Sequence, residues 1–234
     1  MKKKSGIIIY AFAIFGLLLM ITYGCKSKDE NSNPNLPLTV TDIDGNVYNT
    51  IAIGNQVWMT ENLKTTKFND GSSIPLITDN TVWNYLSSPG YCFNNNDSVI
   101  NKNVYGALYN WYSVNTGKLA PIGWRIPTKD DWNALIFSLG GDSIAGGKLK
   151  ETAQLHWQIP NVGATNEIGF TALPGGIRGN AGSFINTGYL CFWWSNTLSG
   201  TSDALSFTVN NSKVSIDMNG HNKGNGFSIR CIKK

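Results

Sequence analysis

One segment of the chain, TKDDWNALIFSLGG at residues 128–141, carries a complete helical signal. Thr128 stands at the N-cap position, Asp131 completes an acidic variant of the capping box, and Gly140 ends the helix. Apolar residues recur between them at helical spacing and predict one buried stripe: Trp132, Leu135, Ile136 and Leu139. Negative charge is favourable in a first helical turn, so Asp130 and Asp131 are interpreted as helix-start residues and not as catalytic carboxylates.

The rest of the chain is dominated by strand patterns. Residues 39–63 alternate apolar and polar positions around the dipeptides DG and GN, which are typical of tight hairpins. Residues 104–114, VYGALYNWYSV, predict a further helix from the spacing of Tyr105, Leu108, Tyr109 and Tyr112. After Gly147 the pattern indicates glycine-punctuated strands up to the final GFSIRCIKK.

The first residues predict export. A cationic start, MKKKSG, precedes an apolar run from Ile7 to Gly24, a length that would also suit a short membrane-spanning helix. A small residue directly before Cys25 resembles the bacterial lipoprotein signal, in which the cysteine becomes the lipidated N-terminus of the mature protein. We therefore expect residues 1–24 to be a signal peptide and Cys25 to anchor the protein to a membrane.

Residues 25–38 are polar, contain two prolines and predict a flexible tether, followed by one domain over residues 39–234. The charged triplet at residues 28–30 resembles the export signal that places some Bacteroidetes-type lipoproteins on the outer leaflet. We expect a lipid-anchored protein of the outer membrane that is exposed at the cell surface. The formal charge of +4 falls to near +1 without the three leader lysines, which argues against a nucleic-acid partner.

Catalytic and metal-binding motifs are absent from the sequence. The two histidines, His156 and His221, lie sixty-five residues apart, and there is no HxxxH or CxxC spacing. Residues 42–45 (DIDG) and 94–97 (NNND) offer oxygen ligands for a structural calcium ion. The EF-hand pattern fails, however, and hairpin turns are the favoured interpretation of both segments. An oxidising compartment would allow one disulfide among the remaining cysteines, and their spacing leaves the pairing open: Cys92, Cys191 and Cys231.

Aromatic side chains are the remaining candidates for ligand binding, because sugars stack on exposed indoles. We expect one or two of the eight tryptophans to be exposed. Trp193 and Trp194 would point to opposite faces of a strand, so at most one of them should face solvent. The candidate ligand-binding residues are Trp193, Trp194 and Arg178.

Several blocks of the sequence resemble, in order, the FISUMP domain (Fibrobacter-type major paralogous domain) over about residues 40–234. They include DIDGNVYNTIAIGNQVWMTENL, YGALYNWYSVNTGKLAPIGWRIPTKDDWNAL, LGGDSIAGGKLKE, GATNEIGFTALPGGIR, FWWSNT and GFSIRCIK. Two blocks, RIPTKDDW and GFSIRC, are also similar to formylglycine-generating sulfatase modifiers. The resemblance implies an α+β, C-type-lectin-like and sulfatase-modifier-like fold, with two helices packed on twisted antiparallel sheets and long irregular loops.

The resemblance also carries expectations about sites and function. Related domains commonly have cysteines at the positions of Cys92 and Cys231, which implies a disulfide between them. The copper chemistry of the modifiers is not implied, because Cys191 and Cys231 are forty residues apart. We expect a surface module that binds glycans or other cell-envelope components, without catalytic residues, metal or cofactor. The alternatives are a structural surface-layer protein, or an enzyme: an oxidase that takes up copper through Cys191 or Cys231, or a hydrolase that uses one of the glutamates Glu61, Glu151 and Glu167.

Overall fold

The computed structural model describes residues 38–152 and 154–234. The predicted signal peptide, Cys25 and the tether up to residue 37 lie outside the described residues. The strands are β1 (Thr39–Thr41), β2 (Val47–Ile53), β3 (Gln56–Met59), β4 (Tyr91–Phe93), β5 (Ala107–Tyr109), β6 (Trp124–Arg125), β7 (Ile177–Arg178), β8 (Phe184–Ile185), β9 (Leu190–Leu198), β10 (Asp203–Asn210), β11 (Ile216–Asn222) and β12 (Ile232–Lys233). The helices are α1 (Asn80–Asn84), α2 (Ser98–Tyr105), α3 (Trp111–Val114), α4 (Lys129–Ser138) and α5 (Asp142–Leu149).

Antiparallel pairing joins the named strands into sheets. The five-stranded sheet has the order β1-β2-β3-β12-β6, so strands from both ends of the described chain lie side by side. A three-stranded sheet has the order β11-β10-β9, and β4-β5 and β7-β8 form two further pairs. The α+β class with curled antiparallel sheets is confirmed. The expectation of two helices is wrong, because the described residues form five.

Helix α4 begins and packs as predicted. The Thr128 hydroxyl accepts a hydrogen bond from the Asp131 backbone N–H at 3.3 Å, and the Asp131 carboxylate accepts one from the Thr128 N–H at 2.8 Å. Burial raises the pKa of Asp131, but hydrogen bonds from Arg125 and Thr128 outweigh it and hold the pKa below its ordinary value. Arg125, which joins α4 to β6, therefore has a structural role. Three residues of the predicted stripe are buried and the fourth is half-buried: Trp132, Leu135, Leu139 and Ile136.

The helix predicted over residues 104–114 is wrong, because Gly106 interrupts it. Gly106 has φ +76°, and a Cβ there would lie 2.8 Å from the Leu63 carbonyl oxygen, so the backbone turns out of α2 at this point. The chain then forms β5, and Asn110 caps the short helix α3 by accepting a hydrogen bond from the Ser113 N–H at 3.1 Å. The helical spacing of the tyrosines therefore falls across a helix, a strand and a second helix.

The two oxygen-rich segments serve turns and caps. The Asp42 carboxylate accepts hydrogen bonds from the backbone N–H groups of Asp44 and Asn46, so residues 42–45 form the predicted turn. The NNND segment differs from the prediction, because it forms a 3-10 turn and Asp97 caps α2 by accepting from two backbone N–H groups.

Helix α5 was not predicted from the sequence, and its two central glycines explain why it forms here. A Cβ on Gly146 would lie 2.1 Å from the Ser215 carbonyl oxygen, and one on Gly147 would lie 2.4 Å from that of Gly163. The helix therefore packs its backbone directly against neighbouring loops, and this close approach compensates for the poor helix propensity of glycine.

All eight tryptophans are buried, so the expectation that one or two are exposed is wrong. Trp193 and Trp194 do alternate across β9, but each face of that strand is covered by its own hydrophobic cluster. Trp193 packs with Trp132 on one side, and Trp194 stacks on Phe227 at 4.2 Å on the other. Strand β9 is therefore the centre of the core.

The predicted disulfide between Cys92 and Cys231 is wrong, because the three described cysteines are all free and buried. Cys92 packs with Trp83 and Leu108 in a small satellite cluster, whereas Cys231 belongs to the cluster that contains Trp194. Burial raises the pKa of the Cys92 thiol to about 12, and it raises those of Cys191 and Cys231 further. The thiols therefore behave as small apolar core groups.

Candidate ligand-binding groove

The three ligand-binding residues predicted from the sequence cannot reach a ligand, and the prediction is wrong. Trp193 and Trp194 are fully buried, and their indole N–H groups donate to the Asn62 Oδ1 and to the Tyr109 carbonyl oxygen, each at 2.9 Å. The ladder of β10 and the clusters on both faces of β9 leave no exposed ring surface. Both rings therefore stabilise the core.

Arg178 is also fully buried. Its guanidinium lies 4.5 Å from the Trp83 ring centre and 5.0 Å from that of Phe184. Its N–H groups donate to four oxygens of the surrounding loops: the carbonyl oxygens of Ile77, Thr78 and Gly182, and the side-chain Oδ1 of Asn80. Arg178 thus holds together the loops around α1 and β7-β8.

An open groove of about 610 Å³ lies between α4 and β11, within the size range of ligand pockets. Its floor is formed by Phe207 and Ile216, which are buried in the core cluster below. The groove is therefore a depression over well-packed core, with walls from a helix and from a strand.

Helix α4 supplies one wall because its two faces differ. Trp132, Leu135 and Leu139 point to the core, which leaves Asn133 and Phe137, four residues apart, as neighbours on the groove side. The Phe137 ring is 83% exposed. An aromatic ring at this exposure, beside the half-buried Ile136, forms an apolar platform along the groove.

Strand β11 supplies the opposite wall. In the ladder with β10, Met218 pairs with Phe207 and Ile216 with Val209, so these side chains share one face of the sheet. Met218 is 40% exposed in the groove. Because β11 is the outer strand of its three-stranded sheet, one edge of its backbone has no strand partner within that sheet.

Polar groups surround this apolar surface. Asn133 and Asp142, the first residue of α5, are exposed in the groove. At the opposite end Lys213 forms an exposed ion pair with Asp217, with 3.5 Å between nitrogen and oxygen. The groove therefore offers an aromatic platform together with an amide, carboxylates and an ammonium group.

The three glutamates of the hydrolase alternative and the two histidines have partners away from the groove. The Glu61 carboxylate accepts hydrogen bonds from Asn49, Glu167 pairs with Lys148 at 2.9 Å, and Glu151 contacts the Nδ1 of His156 at 3.0 Å. His221 contacts the Ser206 hydroxyl, and burial lowers its pKa. None of these side chains lines the groove.

The sequence did not predict the groove residues, because only tryptophans were considered as aromatic contacts for a ligand. Phe137 carries a signal in retrospect, since it is an apolar residue that lies off the stripe formed by Trp132, Leu135 and Leu139. Met218 carries no comparable signal, because strand alternation does not say which face of an outer strand is covered.

The described residues thus define an α+β domain with an open groove on one side. Among residues 38–152 and 154–234, no three His, Cys, Asp or Glu side chains are grouped as metal ligands. No helix in the same part of the chain combines the length and the apolar character needed to cross a membrane.

The sequence model described as the Fibrobacter succinogenes major domain (Fib_succ_major) matches residues 51–233. The chain therefore belongs to this family, as its sequence blocks predicted. No curated protein and no solved structure matches the chain.

Proposed function

We propose that the protein is a binding module of the bacterial cell surface and that it holds a glycan of the cell envelope in the groove between α4 and β11. The observation that carries the proposal is the Phe137 ring, which is 83% exposed in a groove of about 610 Å³. All eight tryptophans are buried, so an indole cannot take this role.

The chemistry of the groove suits a sugar. A pyranose ring presents a C–H face that packs against an aromatic ring, while its hydroxyl groups need hydrogen-bond partners around the edge. Phe137 and Met218 offer the apolar contact, and Asn133 and Asp142 offer an amide and a carboxylate beside it.

The proposed location follows from the sequence. Lipidation at Cys25 would anchor the mature protein to the outer membrane, and residues 25–38 would act as a tether that lets the domain reach a ligand at the cell surface. We further propose that the fold is related to C-type lectins and sulfatase modifiers. In support, the two blocks that carry this resemblance lead into one sheet, where Arg125, the first residue of RIPTKDDW, pairs with Ile232, the residue directly after GFSIRC.

Binding to glycan and cell-wall arrays tests the proposal directly. The purified protein should bind a subset of the immobilised glycans, and Phe137→Ala should weaken that binding at least about tenfold. Tyr85→Ala is the matched control, because Tyr85 is an aromatic residue that is 79% exposed but lies outside the groove. Absence of binding by the unmodified protein, with and without calcium, would contradict the proposal, as would equal losses in the two variants.

A further inference from the structure

A second, smaller pocket of about 250 Å³ lies away from the groove. It is lined by the residues that follow β3, by the end of α2, by the turn after Phe170 and by the side chains of His156 and Arg230. This volume is below the range typical of drug-sized ligands, so the pocket suits a small molecule.

The floor of the pocket contains a buried cation. Arg230 is 1% exposed, and its guanidinium lies 4.3 Å from the ring centre of Phe170. Nε donates to the Asn62 Oδ1 at 3.1 Å, and Nη1 donates to the carbonyl oxygens of Met59 and Phe170. Nη2 makes a single long contact, 3.4 Å to the Thr171 carbonyl oxygen, so one of the five guanidinium N–H groups is left over.

The charge of Arg230 is not balanced by a carboxylate contact. Every acceptor found for it in the described part of the chain is an uncharged oxygen. Burial lowers its pKa to about 10, so the guanidinium still carries its charge at neutral pH. Glu61 also lines the pocket and its charge raises the pKa of Arg230, but its two oxygens accept hydrogen bonds from Asn49 and Thr60 and none from the guanidinium. A buried charge that no carboxylate contacts directly is costly, which favours an anion in the space beside it.

The turn that holds Arg230 is strained. Thr171 is a β-branched residue with φ +54°, a conformation that such residues rarely adopt. The Asn166 side chain holds it there by accepting from the Thr171 N–H at 2.7 Å and donating to its hydroxyl at 3.0 Å. Strain of this kind persists where the surroundings impose it, and it concentrates at ligand sites. Here it places two successive carbonyl groups against the guanidinium.

His156 contributes a second polar group to the pocket. Its Nδ1 lies 3.0 Å from both oxygens of Glu151, so this nitrogen carries the proton and donates to the carboxylate. Tyr105 packs edge-on against the ring, with 5.9 Å between ring centres. The carboxylate and the tyrosine therefore fix the ring orientation and leave Nε2 for a ligand.

The other buried cations also have uncharged oxygen partners. Arg178, like Arg230, has four oxygen acceptors, and the ammonium of Lys150 donates to three carbonyl oxygens, each at 2.8 Å. Neither of them lines the pocket. What distinguishes Arg230 from the other two is therefore the pocket that it lines.

We propose that this pocket binds a small carboxylate-bearing molecule, one of whose oxygens accepts a hydrogen bond from the Arg230 Nη2 while a polar group of the same ligand contacts the His156 Nε2. A planar carboxylate matches the in-plane donors of a guanidinium. The site is independent of the glycan groove, because the two share no lining residue.

The test follows the side-chain N–H signal of Arg230 and the amide signals of residues 171 and 173 by NMR. Acetate and lactate are added to the purified protein, with acetamide as the neutral analogue and inorganic phosphate as the alternative anion. The carboxylates should shift these signals in a saturable manner, whereas acetamide should not. Absence of a shift at millimolar carboxylate would overturn the proposal, and so would tighter binding of phosphate than of either carboxylate.

Two variants keep the test independent of the folding role of Arg230. Val104→Phe fills the pocket from α2 without removing a polar group, and it should abolish the carboxylate-dependent shifts. His156→Ala should weaken lactate binding by about three- to tenfold, the effect expected from losing one neutral hydrogen bond, and should change acetate binding little because acetate has no second polar group. Tyr85→Ala is the control that should bind carboxylate as the unmodified protein does, because Tyr85 is exposed and lines neither the pocket nor the groove. Unchanged binding in Val104→Phe would place the carboxylate elsewhere and refute the site.

Discussion

The two faces of α4 show how differently this molecule uses its aromatic residues. Trp132 on the inner face is fully buried, with ring centres 4.9 Å from those of both Trp58 and Phe207. Phe137 on the outer face, little more than one turn later, is 83% exposed. Trp132 belongs to a sequence block that the family resemblance rests on, whereas Phe137 follows the end of that block. That block therefore supplies both a buried core ring, Trp132, and a groove residue, Asn133, whereas the exposed aromatic ring lies just beyond it.

The largest effect should come from the inner face. Trp132→Ala removes a ring that also packs against Trp193 and Phe170, and it leaves a cavity between α4 and the sheets. We expect a loss of about 3 to 5 kcal/mol in the free energy of unfolding, measured by urea denaturation. A loss below about 1 kcal/mol would mean that the inner face is not packed as the ring distances indicate.

Arg178 extends the comparison of buried and exposed side chains from α4 to the loops, because its buried guanidinium stabilises loops and not a sheet. Arg178→Met keeps much of the apolar contact with Trp83 and Phe184 but removes the donors to four oxygens. We expect the free energy of unfolding to fall by about 2 to 3 kcal/mol, since buried acceptors lose their partners. Amide hydrogen exchange should show faster opening of β7-β8 than of β9.

The control for this change is Arg125→Met, which removes a half-exposed arginine from its ion pair with Asp131. We expect a loss of about 1 kcal/mol or less, because a partly solvated ion pair contributes little. Equal losses in the two variants would show that the buried hydrogen bonds of Arg178 stabilise the protein no more than the partly solvated ion pair does.

The start of α4 predicts a dependence on pH. The pKa of Asp131 is held below its ordinary value, so its contribution to stability is fully present above about pH 4 and is lost as the pH falls through the lowered pKa. Asp131→Asn should therefore cost about 1 kcal/mol at neutral pH, and the difference from the unmodified protein should shrink in acid. Denaturation curves at neutral and acidic pH measure it. A difference that stays constant with pH would mean that the carboxylate charge is not what stabilises the cap.

The parts of the fold that were predictable depend on local interactions. Helix α4 was found because its cap, its stripe and its end lie within fourteen consecutive residues. The helix over residues 104–114 was wrong because the contact that breaks it, between Gly106 and Leu63, joins residues far apart in the chain. Helix α5 was missed for the same reason, since its glycines are favourable only against Ser215 and Gly163.

The candidate groove could not be predicted either, because it too depends on contacts between distant parts of the chain. Alternation along β9 correctly placed Trp193 and Trp194 on opposite faces, but it could not show that a cluster covers each face. The groove itself joins α4 to β11, two elements about eighty residues apart, and it exists because the outer strand leaves space beside the helix. The pocket over Arg230 is likewise assembled from five separate segments.

The smallest effect on stability should come from the outer face. Phe137→Ala removes a ring that is mostly in water, so we expect the free energy of unfolding to change by no more than about 0.5 kcal/mol. The same substitution should abolish most of the proposed glycan binding, which a titration followed by calorimetry would measure beside the urea curve. This combination, lost binding with unchanged stability, is what separates a ligand platform from a core residue. A stability loss comparable to that of Trp132→Ala would instead mean that the Phe137 ring folds down into the groove in solution, and the groove would then be part of the core.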